Sequence, residues 1–166
     1  MKTLIFGAGN LILSDEGFGV HCIKYLEDHF DFPEEVELFD GGTLGIMVTH
    51  KIEEAERVFI VDTVETSGEP GDVFRFEKED IMLNRLPVKL SPHQIGIQEM
   101  LYISEMRGEC PDRISLLGVI PASLDAGSEL SDTLNEKLPK VVGLLVDELR
   151  SLGHDVREKA AAAPLH

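Results

Sequence analysis

Short apolar runs alternate along the chain with segments in which apolar residues recur every three or four positions. Four apolar runs predict buried strands, at residues 2–7, 35–40, 57–62 and 113–121, and a turn before residue 72 introduces a short edge strand at 72–76. The helical spacing predicts helices over residues 16–30, 44–55 and 94–107 and a long final helix that begins near Ser131. Residues 77–86 form either a short helix or an irregular segment.

This alternation predicts an α/β fold. Strands that alternate with helices form βαβ units, so we expect a three-layer, mostly parallel twisted sheet flanked by helices on both faces, of the phosphorylase/hydrolase-like type. The length of 166 residues corresponds to a single domain, which we place at residues 1–152. Residues 153–166 have little to bury, and we expect them to form a flexible C-terminal tail.

Charge and composition limit the partners. Asp and Glu total 31 against 15 Lys and Arg, a net charge of −16, which disfavours binding to nucleic acid or to anionic membranes. No apolar run approaches the ~18 residues of a membrane span, and the N-terminus does not resemble a secretory leader, so we expect a cytoplasmic protein. The two cysteines form no CxxC motif, and Cys22 falls among apolar residues typical of a core.

The first predicted strand runs into "GAGNLILSDEGFGVH", which begins like a dinucleotide-binding loop. Asp15 and Glu16 then stand where a phosphate would meet a helix N-terminus, and their charge would repel it. Either Ser14 or Asp15 could cap the helix that follows. A Rossmann-type nucleotide binder remains a weaker alternative, because Asp40 after the second strand resembles a ribose-binding acid.

Polar residues follow the apolar strands and should meet at one edge of a parallel sheet, where α/β proteins bind ligands. They are Glu16, Asp40, Asp62 and His93, and such mixed oxygen and nitrogen ligands suit zinc, nickel, iron or manganese. Each also has a structural explanation, since the acids could offset a helix dipole or close turns and the histidine could cap a helix. We expect His21 to pack or to support this site.

The segment "GAGNLILSDEGFGVH" resembles the opening motif of the nickel-iron hydrogenase maturation proteases, and "DGGT", "VDTV" and "SPHQIG" follow in that family's order and spacing. The resemblance covers residues 1–150. It implies a cytosolic endopeptidase that removes a C-terminal peptide from the hydrogenase large-subunit precursor after nickel insertion. One departure is Ile120-Pro121, where many members have Gln-Pro, in a segment that we expect near the substrate groove.

By the same resemblance, Glu16, Asp62 and His93 match the family's metal-binding positions. The nickel would be supplied by the precursor, and an adventitious divalent metal could occupy the place in the isolated protein. For catalysis we expect attack by water, as in aspartyl proteases, with Asp40, Glu16 or Asp62 as the base, or polarisation of the scissile carbonyl by nickel. A nickel-dependent checkpoint or chaperone that cuts nothing would use the same residues.

Overall fold

The computed structural model describes residues 1–42, 46–83 and 92–160, apart from the side chains of residues 42, 46, 47 and 92–95. Its main feature is a five-stranded sheet in the order β3-β1-β4-β6-β5. The strands, together with a separate two-stranded pair β2-β7, are β1 Thr3–Ala8, β2 Phe30–Asp31, β3 Val36–Gly42, β4 Arg57–Thr63, β5 Val73–Glu77, β6 Arg113–Val119 and β7 Arg157–Glu158.

Five α-helices accompany the strands: α1 Phe18–His29, α2 Ile46–Glu54, α3 Lys78–Met82, α4 Pro92–Met106 and α5 Asp132–Ser151. The predicted elements that fall on described residues are confirmed to within a few residues, while β2 and β7 were not predicted and residues 84–86 of the predicted short helix lie outside the described residues. A further difference lies at the start of α1. Residues Ser14–Gly17 form a separate 3-10 helix, and α1 begins only at Phe18. In the described part of the chain, no helix combines the length and apolar character needed to cross a bilayer.

The sheet is parallel except for β5, which pairs antiparallel with β6 at one border. The chain moves from β1 outward to β3, and then crosses back over β1 to β4. The reversal of strand order therefore lies between β1 and β4, and in open α/β sheets ligands bind at such a reversal, beyond the ends of the strands. We call this side the carboxyl edge and the opposite side the amino edge.

Alternate residues of the strands enter two hydrophobic cores, which makes the three layers. The core under α1 and α5 contains Ile5, Phe59, Val61, Leu117 and Val119 from the sheet. The core under α2, α3 and α4 contains Leu4, Phe6, Val58, Ile60 and Leu116. Both faces of the sheet are therefore dry, which explains why the strands are continuous apolar runs in the sequence.

Two glycines allow α1 to lie directly on the sheet. A Cβ on Gly7 would stand 2.3 Å from the carbonyl oxygen of Gly19, and one on Gly19 would stand 2.2 Å from the carbonyl oxygen of Val61. Only residues without side chains permit this approach of helix and strands. The close packing fixes the N-terminal end of α1, and with it the preceding 3-10 helix, against the ends of β1 and β4.

The packed domain extends past the predicted boundary at residue 152. His154 is buried and its Nε2 lies 2.8 Å from the Thr3 hydroxyl, while Val156 is buried in the core under α1 and α5. β7 pairs with β2, and the Lys159 amide donates to the His29 carbonyl at 2.8 Å. The beginning of the predicted tail is thus packed at the amino edge, and residues 161–166 lie outside the described residues.

Candidate active site

Glu16 and Asp62 come together at the reversal of strand order. Asp62 is the penultimate residue of β4, and Glu16 lies in the 3-10 helix that follows β1 and packs against β4. Burial is the main cause of the raised pKa of Asp62, and the negative charge of the nearby Glu16 raises it further. The structure thus assembles two of the predicted residues from loops that are distant in sequence.

Asp62 is held in an unusual state for a carboxylate. It is 1% exposed, and burial raises its pKa to about 7, while the hydrogen bond from the Thr63 amide to its Oδ1 at 2.8 Å opposes this shift. Its Oδ2 is buried and has no hydrogen-bond partner within the described part of the chain. Buried polar atoms are normally satisfied, so an unsatisfied carboxylate oxygen beside a second acid is suited to accept a cation or a proton.

Asp15 has a different role from its neighbour. It is completely buried, and its carboxylate accepts four hydrogen bonds from the loop between β6 and α5. The donors are the amides of Ala122, Ser123 and Ser131, at 2.8, 2.9 and 2.7 Å, and the Ser131 hydroxyl at 2.9 Å. The expectation that Asp15 or Ser14 caps α1 is wrong: Gly17 is the N-cap residue, and no side chain bonds there.

Further contacts fasten the same loop. Ser14 adopts a positive φ of 48°, and its amide and hydroxyl donate to the carbonyls of Gly127 and Asp125 at 2.8 and 2.6 Å. His21 bonds the backbone of Ser128, and burial lowers the pKa of its imidazole. The β6–α5 loop is therefore attached to the strand–helix connection that carries Glu16, which gives His21 the supporting position expected from the sequence.

Asp40 lies on β3, at the border of the sheet. It pairs with Gly7 of β1, and Gly7 in turn pairs with Val61, so β1 separates Asp40 from β4 by about 10 Å. Side chains alternate along a strand, so Asp40 leaves the sheet on the α1 side, as Val61 does, and Asp62 leaves it on the α2–α4 side. Asp40 is exposed, and the structure does not bring it next to the pair of Glu16 and Asp62.

His93 lies in the first turn of α4, and its side chain falls outside the described residues. The backbone alone gives its approximate place. α4 covers the face toward which Asp62 points, and it returns the chain to the start of β6, so its N-terminal end lies at the carboxyl edge. Among the described residues, no group of three His, Cys, Asp or Glu side chains is arranged to hold a metal ion.

The cysteines are not placed for nucleophilic chemistry. Cys22 is completely buried in the core under α1 and α5, and burial raises the pKa of its thiol far above neutrality. Cys110 precedes β6 at the amino edge, and burial also raises the pKa of its thiol. A thiolate nucleophile requires the opposite shift, so the described site is one of carboxylates.

A groove of about 400 Å³ opens at the same carboxyl edge, beyond the ends of β4 and β6. Its walls are Glu65 and Thr66, which follow β4, and the segment Ile120–Leu124, which follows β6. Asp62 pairs with Gly118, so the groove begins two or three residues beyond Asp62, roughly 7–10 Å away at the rise of a strand. Sequence reasoning anticipated Ile120-Pro121 here but missed Glu65 and Thr66, which carry no recognisable motif.

The chain is similar to known proteins over most of its length. The HycI family model, hydrogenase maturation protease, matches residues 20–148. The chain is 32% identical to the hydrogenase expression/formation protein HupD of Rhodobacter capsulatus, over 96% of this chain and 76% of HupD. It is 31% identical to the hydrogenase 2 maturation protease of Escherichia coli, over 92% and 93% of the two chains.

The fold comparison gives the same result. The solved structure of the hydrogenase maturating endopeptidase HybD from E. coli superposes with a TM-score of 0.89, at 29% identity, over 96% of this chain and 98% of HybD. The fold and its relatives define a peptidase, a hydrolase that acts in hydrogenase maturation. The chain belongs to the hydrogenase maturation protease family.

Proposed function

We propose that this enzyme removes the C-terminal extension of a hydrogenase large-subunit precursor in the cytoplasm and recognises the precursor through its bound nickel. Glu16, Asp62 and His93 would contact the nickel. The observation that carries the proposal is the pair of adjacent carboxylates at the carboxyl edge, where Asp62 Oδ2 is buried without a described partner. A divalent cation would remove the repulsion between the acids and occupy the unsatisfied oxygen.

The nickel belongs to the substrate in this proposal. An ion already held by the precursor can accept further ligands from the protease and so fix the cleaved segment against the carboxyl edge. A precursor without nickel offers no such contact, and its binding is weaker by the energy of those metal–ligand bonds. This difference would make nickel insertion a condition for processing.

Hydrolysis would proceed by attack of water. A carboxylate accepts a proton from the water while the water oxygen forms a bond to the scissile carbonyl carbon. The C–N bond then breaks, and the protonated carboxyl group donates the proton to the leaving amine. Glu16 and Asp62 are candidate bases because both lie at the carboxyl edge, where the nickel would fix the cleaved segment. Asp40 is the third candidate base, on the opposite face of the sheet and two strands away from Asp62.

The experiment compares nickel-loaded and nickel-free precursor, each incubated with the purified protein and followed by intact mass. We expect a discrete C-terminal loss from the loaded precursor only. Glu16→Gln, Asp62→Asn and His93→Ala should each reduce the rate at least about 100-fold while the protein stays folded. Glu109→Gln, an exposed acid near the amino edge, is the matched control and should process normally.

Two outcomes would contradict the proposal. Full activity in two of the three site variants would show that these residues do not recognise the metal. A stable complex with loaded precursor but no loss of mass would instead identify a non-catalytic checkpoint. A nucleotide-binding role is disfavoured by geometry, because the Glu16 carbonyl oxygen lies 1.8 Å from a Cβ built on Gly9 and so fills the glycine turn.

A further inference from the structure

We infer that Asp15 is a positioning residue for substrate binding: its carboxylate holds the β6–α5 loop as one wall of the groove that receives an apolar side chain of the precursor, within about three residues of the cleaved bond. The inference rests on the proposed function, and it adds a binding subsite and the residue that maintains it.

The first step concerns the loop. Residues 121–129 are mostly exposed and contain no helix or strand, so little apolar burial fixes their shape. Instead, four hydrogen bonds of 2.7 to 2.9 Å connect the loop to the buried carboxylate of Asp15 and fix its shape. Ser14 bonds the later residues Asp125 and Gly127, so Asp15 is the side chain that holds the part of the loop containing Ala122 and Ser123.

The second step connects the support to the groove. Ala122 and Ser123 donate their amides to Asp15, and the same two residues form part of the groove wall. Both amides point toward Asp15. The same segment contributes the apolar residues Ile120, Pro121 and Leu124 to the groove wall. Leu124 is 40% exposed, so an apolar side chain of the groove wall faces solvent.

The third step identifies the occupant. The groove walls begin two residues after Gly118 and three residues after its strand partner Asp62, a chain distance of roughly 7–10 Å. Two or three residues of extended peptide can span that distance. The aliphatic wall favours an apolar side chain, while Thr66 and Glu65 at the other wall can bond peptide amides. A segment of precursor next to the cleaved bond satisfies both requirements.

The test uses Asp15→Asn, which keeps the size of the side chain but turns an N–H group toward donors, and Ser131→Ala, which removes one donor. Glu129→Gln, an exposed acid of the same loop, is the control. We expect faster hydrogen exchange at the Ala122 and Ser123 amides in Asp15→Asn. We also expect KM for nickel-loaded precursor to rise about tenfold or more, while kcat changes less than about threefold.

A substrate scan separates this role from stability alone. Each residue within three positions of the cleaved bond is replaced by aspartate in the precursor, one at a time. The wild-type enzyme should show one position with a large rise in KM, and that rise should be much smaller in Asp15→Asn. If Asp15→Asn does not fold, Ser131→Ala should give the same pattern with a smaller rise in KM.

Three results would overturn the inference: an unchanged KM in a folded variant with a released loop, a loss of kcat at constant KM, or the absence of any sensitive substrate position. If the wild-type protein cleaves no precursor, the proposed function fails separately. The affinity of uncleaved, nickel-loaded precursor for wild type and Asp15→Asn then still decides whether the loop binds it.

Discussion

The carboxylate of Asp62 lies in the field of Glu16, buried and with its Oδ2 unsatisfied by any described residue. The two carboxylates repel each other in the free enzyme, because ionising Asp62 places a second negative charge in an environment without water. The arrangement is unfavourable for folding and favourable for capturing a cation. Sites that bind or react commonly show this opposition between stability and function.

The first prediction concerns the pH dependence of stability. The pKa of Asp62 is about 7 in the folded protein, above its value in the unfolded chain, so the folded state holds the proton more tightly. The contribution of Asp62 to stability should therefore fall as pH rises from about 4 to about 7, by roughly 2–4 kcal/mol, and the pH dependence of Asp62→Asn should lack this contribution. Denaturant unfolding at several pH values measures it, with the exposed Asp147→Asn as control. Equal pH dependence in Asp62→Asn and wild type would contradict the assignment.

A second prediction follows from the interaction of the two acids. Burial is the main cause of the raised pKa of Asp62 and the charge of Glu16 adds to it, so Glu16→Gln should lower that pKa by a smaller part of the shift. The loss of stability with rising pH should then end at a lower pH and be smaller in total. The same unfolding series provides the measurement. No difference from wild type would mean that the two carboxylates are not coupled in solution.

The third prediction tests the contact of α1 with the sheet. Gly7→Ala places a methyl group 2.3 Å from the Gly19 carbonyl oxygen, and relief requires a backbone shift, so we expect a loss of about 2–3 kcal/mol in unfolding free energy. Gly143→Ala in α5 has no heavy atom within 4 Å of the new Cβ and should stabilise by about 0.5–1 kcal/mol. Chemical denaturation of both variants gives the comparison, and an equal effect of the two would refute the close packing.

The fourth prediction concerns the C-terminal segment. Val156 is 4% exposed in the core under α1 and α5, so Val156→Ala should lower the unfolding free energy by about 1–2 kcal/mol. Leu144→Ala, at a side chain that is 49% exposed, should change it by less than about 0.5 kcal/mol. Processing by folded Val156→Ala should remain normal, because Val156 lies at the amino edge. A wild-type melting temperature would mean that this segment does not pack in solution.

The fold could be predicted from sequence because its strands are buried on both faces. Continuous apolar runs such as residues 57–62 mark such strands, and the glycine after α4 ends the helix at the expected place, with Gly108 at a φ of 71°. The pair β2-β7 was not predicted, since each strand has only two residues and their pairing depends on contacts more than 120 residues apart. Short strands of this kind leave no periodicity to detect.

The candidate site was predictable only in part. Glu16 and Asp62 follow from the parallel sheet, because residues after successive parallel strands meet at one edge. The role of Asp15 could not be deduced, since its donors at Ala122, Ser123 and Ser131 are 107 to 116 residues away in sequence. In the sequence, Asp15 and Glu16 are two similar acids side by side. The three-dimensional structure shows that Asp15 holds a loop and that Glu16 lies near Asp62.

The pairing of β2 with β7 has a practical consequence for handling the enzyme. Lys159 is held to α1 by its amide and by its side chain, which donates to the Glu27 carbonyl at 2.7 Å. Lys159 is therefore anchored at the amino edge, at the opposite end of the strands from Glu16 and Asp62. An affinity resin, sensor chip or fluorophore attached at an exposed residue of this segment would lie away from the carboxyl edge and leave it open to a folded client.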